Sequence, residues 1–264
     1  MINFNPKDRY GFEDLVAIMA LLRSPEGCPW DREQTHESIR RNFIEEVYEA
    51  VDAIDRKDDA NLREELGDVM MQVVFHARIA QEGGRFDIND VADEVCKKLI
   101  LRHPHIFGDV SADTADEVVK NWDAIKRVEK GQTSTAQTMR EVPRSLPALL
   151  YADKMQGRAK KGGFDWPDRS GALQKLEEET AALRRAAESG RGVEKELGDL
   201  LFAAVGVGRL AKADPEEALY RASQRFLERF AFVEQQAGAP LDTLAESELE
   251  ALWEQAKKQA VARA

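Results

Sequence analysis

An all-α chain built as two tandem four-helix-type domains is what this sequence predicts. Apolar residues recur at helical spacing along most of its length, with no alternating pattern that would support a strand. Only 7% of the residues are aromatic, and 17 glycines and nine prolines are too few for the many turns of a sandwich or barrel. The tetrapeptide ELGD occurs twice, at 65–68 and 196–199, each time inside a long helical pattern. A chain of 264 residues exceeds one small helical domain and suits two of ordinary size.

The elements follow in order. Ile39, Phe43, Ile44, Val47, Ala50, Val51 and Ile54 fall on one arc of a helix over 39–54. A charged turn at 55–59 separates it from a second helix, for which Asn61 and Glu64 have the spacing of an N-cap and its N3 partner. Leu62, Leu66, Val69, Met70, Val73, Ala77 and Ala80 form its main apolar face. Phe75 and Ile79 lie off that face and predict burial on more than one side. Further helices are expected over 88–101 and 113–128. Small polar residues from 131, then Pro143 and Pro147, predict a linker at 132–147 between a domain at 1–131 and another at 148–264. Beyond it, helices are expected over 173–187, 193–211, 215–236 and from 246 onward, with a turn through Ser189, Gly190 and Gly192.

The second half echoes the first. Glu45 and Glu46 precede the first ELGD as Glu178 and Glu179 precede the second. Lys98 and Arg102 match Arg225 and Arg229, and Trp122 and Lys126 match Trp253 and Lys257, in the same order and with offsets that drift by only a few residues. An internal duplication with loop insertions accounts for this order.

The charge narrows the function. With 38 basic and 49 acidic residues the net charge is −11, which argues against a broad nucleic-acid surface. Two cysteines, Cys28 and Cys96, make no disulfide framework and no zinc pair. The first ten residues have no signal-peptide pattern, and the longest apolar run is well short of a membrane span, so the expected compartment is the cytoplasm.

Chemistry is expected between the acidic helices. Glu46 and Glu49 project from one side of their helix, and Glu65 and Asp68 from one side of the next. Packed antiparallel, the two helices bring four carboxylates to one groove with Glu45 at its edge. Such a cluster repels itself unless a positive charge lies within it. Oxygen ligands without His or Cys suit Mg²⁺, or Mn²⁺, rather than zinc. Lys98, Arg102 and Lys126 would then help to neutralise a polyphosphate.

Other candidates are weaker. The GxGxxA match at 206–211 has no strand before it and reads as close helix packing. His103-Pro104-His105 reads as a helix-ending turn.

The motifs GCPWD (27–31), FIEEVYEAVDAI (43–54), LREELGD (62–68), VVFHARIAQE (73–82), RHPHIF (102–107), VPRSLPALL (142–150), GGFDW (162–166) and ELGDLLFA (196–203) together resemble the two-domain MazG-type nucleoside triphosphate pyrophosphohydrolases. The resemblance implies two all-α MazG-like domains, a homodimer, dependence on Mg²⁺, and release of pyrophosphate from a nucleoside triphosphate to leave the monophosphate. It implies catalytic residues Glu45, Glu46, Glu49, Glu65 and Asp68, the last four as metal ligands. Glu179, Glu196 and Asp199 are the implied ligands of the second half, where the position of Glu49 is taken by Ala182. Nucleotide-contacting residues are implied at Arg225, Arg229, Trp253 and Lys257, with Lys98, Arg102, Trp122 and Lys126 as their first-half counterparts. Glu45 is the expected residue to position or deprotonate the attacking water. A helical regulatory protein that binds metal or nucleotide without turnover is the competing reading, and Ala182 favours it for the second half.

Overall fold

The structure is a computed structural model, and it describes residues 5–261. Every regular element among them is a helix, and none is long and apolar enough to cross a membrane. The chain divides into two compact units, Met1–Lys126 and Arg127–Ala264. The first contains α1 (Phe12–Leu22), α2 (Pro29–Glu33), α3 (Arg40–Arg56), α4 (Asp59–Glu82), α5 (Ile88–Arg102), α6 (Pro104–Phe107) and most of α7 (Ala115–Glu129). The second contains α8 (Thr135–Arg140), α9 (Ala148–Lys161), α10 (Arg169–Ser189), α11 (Val193–Ala211), α12 (Pro215–Gln236), a short 3₁₀ turn at Leu241–Thr243, and α13 (Glu246–Val261).

In the first unit α3 and α4 form the central pair. Only Lys57 and Asp58 lie between them, so α4 runs back along α3. The expected N-cap at Asn61 is corrected by this tight turn: Asp58 caps α4, and its side chain accepts from the Asn61 amide at 3.1 Å. The Asn61 side chain instead donates to Glu65 at 3.2 Å.

The core forms on one side of α4, where Val74 and Phe75 pack with Met19 of α1 and with Ile39. Arg23, just after α1, holds the GCPWD loop to this core. Its guanidinium donates to the carbonyls of Asp31 and Gln34, pairs with Glu82 at 2.8 Å, and lies over the Phe75 ring. Its side chain is only 5% exposed. Gly27 is required by close approach, since a Cβ there would meet the Leu22 carbonyl oxygen at 2.2 Å.

The other side of the pair differs from the sequence expectation. Of the arc over 39–54, the structure buries Ile39 and Ala50, while Ile44, Val47, Val51 and Ile54 are exposed, as are Leu66 and Met70 of α4. These residues have helical spacing, but nothing within the described unit covers them.

In the second unit α10 and α11 are the corresponding long pair, and α9 packs against α11. The expected linker at 132–147 is in part folded. Ser134 caps α8 in a capping box, Thr138 and Val142 are buried, and Gly162 at the end of α9 lies directly under Thr135. Polar composition marked a loop, but the capping box and the packing against α9 make it a helix. Arg209 and Asp165 form a largely buried pair that anchors the GGFDW loop, and the Trp166 ring lies against Gly206. Gly206 therefore serves close packing, as its place in a helix implied. An apolar cavity of about 440 Å³ lies beside it, walled by Met139, Met155, Phe164, Trp166 and Phe202 with Lys175 at its edge.

Arg23→Ala is expected to destabilise the first unit by about 3 kcal/mol, because it strands two carbonyls and one partner of Glu82. Arg23→Lys should rescue little of this, since an ammonium cannot reproduce the guanidinium fork. Urea unfolding followed by circular dichroism checks both.

Candidate metal centre

The short turn after α3 and the buried alanines Ala50 and Ala53 bring α3 and α4 close together at their acidic ends. Carboxylate oxygens of Glu46, Glu49 and Glu65 lie within 4.8 Å of one another. Asp68, one turn beyond Glu65, stands outside this trio, yet its negative charge acts on both Glu46 and Glu65. Partial burial and then the charges of Asp68, Glu49 and Glu65 push the Glu46 carboxyl above its ordinary range. Desolvation and the charges of Glu49, Asp68 and Glu64 do the same to Glu65. Among the described residues, no lysine or arginine pairs with any of the four.

A residue that motif reading passed over completes the site. Gln72, one turn after Asp68, is 4% exposed, and its side-chain amide acts on Glu46, opposing the upward shift of that carboxyl. Its amide oxygen is buried and has no partner. Three converging oxygens, unrelieved negative charge and an orphaned acceptor beside them fit a hydrated Mg²⁺ or Mn²⁺, whose waters are donors. The i, i+4 spacing of Asp68 and Gln72 was the only signal in the sequence.

Glu45 is not brought into the trio. It accepts from Arg41 at 2.8 Å on the outer side of α3, with half of its side chain exposed. The expected cations lie on α5 and α7. Lys98 is exposed, and Arg102 is buried with its guanidinium 5.1 Å from the Trp122 ring centroid. His103 meets the edge of the same ring and ends α5, its Nδ1 bonded to the Leu99 carbonyl, which agrees with a helix-ending turn. Lys126 is one turn along α7 from Trp122.

In the second unit Glu179, Glu196 and Asp199 also place oxygens within 4.8 Å of one another. Here lysines accompany them. Lys175 bonds Glu179, and Lys195 is 2.9 Å from both Glu196 and Asp199. The hydrogen bonds that Lys195 donates to these two acids raise its pKa, the one to Glu196 contributing most. Around the predicted nucleotide residues, Trp253 packs on Phe226 at 5.4 Å rather than under Arg229. Arg225 is exposed, the Arg229 Nε is buried without a partner, and Lys257 pairs with Glu254 at 2.6 Å.

Comparison with known proteins points the same way. Residues 34–107, which include α3 and α4, match the MazG nucleotide pyrophosphohydrolase domain. The chain is 47% identical over 249 residues to the nucleoside triphosphate pyrophosphohydrolase/pyrophosphatase MazG of Thermotoga maritima, covering 93% of this chain and 95% of that protein. It is 42% identical over 260 residues to the nucleoside triphosphate pyrophosphohydrolase of Escherichia coli K12, covering 94% and 97%. A nucleoside triphosphate pyrophosphohydrolase of Mycobacterium tuberculosis shares 43% identity over 153 residues, 57% of this chain and 45% of that one.

Without divalent ions, Glu49→Gln is expected to raise stability by about 1 kcal/mol, since it removes one of several mutually repelling charges. Glu46 and Glu65, both pushed up in part by the Glu49 charge, cost stability above their folded pKa and cost nothing once folded and unfolded states are both protonated. The melting-temperature advantage of Glu49→Gln in EDTA should therefore be larger at pH 7.5 than at pH 5, as differential scanning fluorimetry would measure.

Proposed function

The chain belongs to the MazG family and is a nucleoside triphosphate pyrophosphohydrolase, and we propose that it works on Mg²⁺ held in the first unit by Glu46, Glu49, Glu65 and Asp68. The observation that carries this reading is the convergence of Glu46, Glu49 and Glu65 within 4.8 Å, with no lysine or arginine among the described residues paired to them. Mn²⁺ suits the same oxygen set. The enzyme is a hydrolase of acid anhydrides: water adds to the α-phosphorus, the bond to the bridging oxygen breaks, and nucleoside monophosphate and pyrophosphate are released.

When bound, the ion supplies a Lewis acid for the triphosphate and lowers the pKa of a bound water. The protein's own groups do the rest. Gln72 favours the charged form of Glu46. Lys98, Arg102 and Lys126 supply positive charge for the phosphates, and Trp122 offers an aromatic face already braced by Arg102. Glu45 is assigned to positioning the water, a role that needs its bond to Arg41 to open.

The exposed apolar ridge of Ile44, Val47, Val51, Ile54, Leu66 and Met70 supports a homodimer, as such a surface calls for a second copy of the chain. An enzyme acting on free nucleotides is placed in the cytoplasm.

Incubation with ribo- and deoxyribonucleoside triphosphates and Mg²⁺ should give monophosphate plus pyrophosphate; diphosphate plus orthophosphate would refute the reaction. Asp68→Asn should reduce turnover at least 100-fold with the helical circular dichroism intact. Turnover lost in Asp199→Asn and kept in Asp68→Asn would move the chemistry to the second unit. Light scattering at micromolar concentration should give twice the chain mass, and a sharp monomer peak would sink the dimer.

A further inference from the structure

The two acidic trios have the same span and opposite surroundings. The register that sets Glu46 against Glu179 sets Asn42 against Lys175 and Glu49 against Ala182. The register that sets Glu65 and Asp68 against Glu196 and Asp199 sets Glu64 against Lys195 and Gln72 against Ala203. Four neighbours of the site thus change in the same direction. A ligand carboxylate becomes a methyl, an acid and an amide become lysines, and the amide that acts on Glu46 has a buried alanine in its place.

These changes are read directly in the contacts. Lys195 bridges both acids of α11 at 2.9 Å, and Lys175 pairs, one turn along α10, with Glu179, whose side chain is only 12% exposed. Three carboxylates face two ammonium groups, whereas the four carboxylates of the first unit have no paired cation among the described residues. A divalent ion entering the second trio would have to displace both ammoniums or approach within a few ångströms of them, with one expected ligand missing. Each condition weakens binding.

We infer that the second trio takes no divalent ion: Lys175, paired within α10, and Lys195, paired within α11, supply there the positive charge that an ion supplies in the first unit. This rests on the reading of the first trio as the metal site. The chain then binds its divalent ions in one unit only. The second unit keeps the clustered acids of a metal centre, neutralised by its own lysines, and its stability is indifferent to chelators.

Mn²⁺ binding to the full chain, followed by electron paramagnetic resonance, tests this. Asp199→Asn should leave the number of bound Mn²⁺ unchanged and their affinity within about two-fold, while Asp68→Asn should weaken binding at least ten-fold. Starting from Asp68→Asn, the added triple substitution Lys175→Asn, Ala182→Glu and Lys195→Glu should create a new class of Mn²⁺ sites. Circular dichroism verifies that each variant folds. Loss of a class of Mn²⁺ sites in Asp199→Asn, or a correctly folded triple variant that gains none, overturns the inference. If Asp68→Asn abolishes Mn²⁺ binding but the wild-type protein turns over no triphosphate, the inference stands and the functional reading falls.

Discussion

Like charges held a few ångströms apart are the constraint on which both halves of this protein turn. Helices α3 and α4 can approach closely because alanines lie between them, and that approach forces Glu46, Glu49 and Glu65 together. The electrostatic penalty is visible in the upward shifts of Glu46 and Glu65. An isolated cluster of this kind is a poor structural device but a good receptor for a small hard cation, because binding relieves a repulsion already present in the fold. In the second unit the same approach is relieved from within, by Lys175 and Lys195.

The scaffold around these pairs relies on two arginines. Arg23 ties the GCPWD loop to α1 and α4, and Arg209 ties the GGFDW loop through Asp165 to α11. Both are largely buried with most of their hydrogen-bonding capacity used, the condition under which a buried charge does not destabilise. The two loop motifs thus read as structural: glycine where a backbone passes too close for a Cβ, and tryptophan in the second loop packed on Gly206. Among the described residues the buried polar atoms without a partner are elsewhere, at Gln72, His105 and Arg229, and unrelieved charge gathers in the first trio.

The exposed ridge on α3 and α4 joins these themes. Apolar periodicity says that a face will be buried, and Ile44, Val47, Val51 and Ile54 have it, but the unit buries a different side of the pair. A helix pair that spends one side on its own core and leaves the other apolar is suited to assembly. The acidic trio lies on the same two helices, so the proposed assembly and the proposed metal binding would share one structural element.

The sequence by itself determined the helical class, the bounds of α11 and α12, and the pairing of EExxE with ExxD that marks the family, because periodicity and i, i+3 spacing are local properties. It also contained Lys175 four residues before Glu179 and Lys195 four before Asp199, spacings at which helical side chains meet. Only the tertiary structure decided what those lysines do, since a lysine beside an acid on an exposed helix is ordinary until a second helix brings further acids to the same point. It decided likewise that Glu45 faces Arg41, that Gln72 reaches Glu46, and that 135–140 is a capped helix packed on α9. In each case the deciding partner is on another turn or another helix, and its effect depends on distances that no linear spacing specifies.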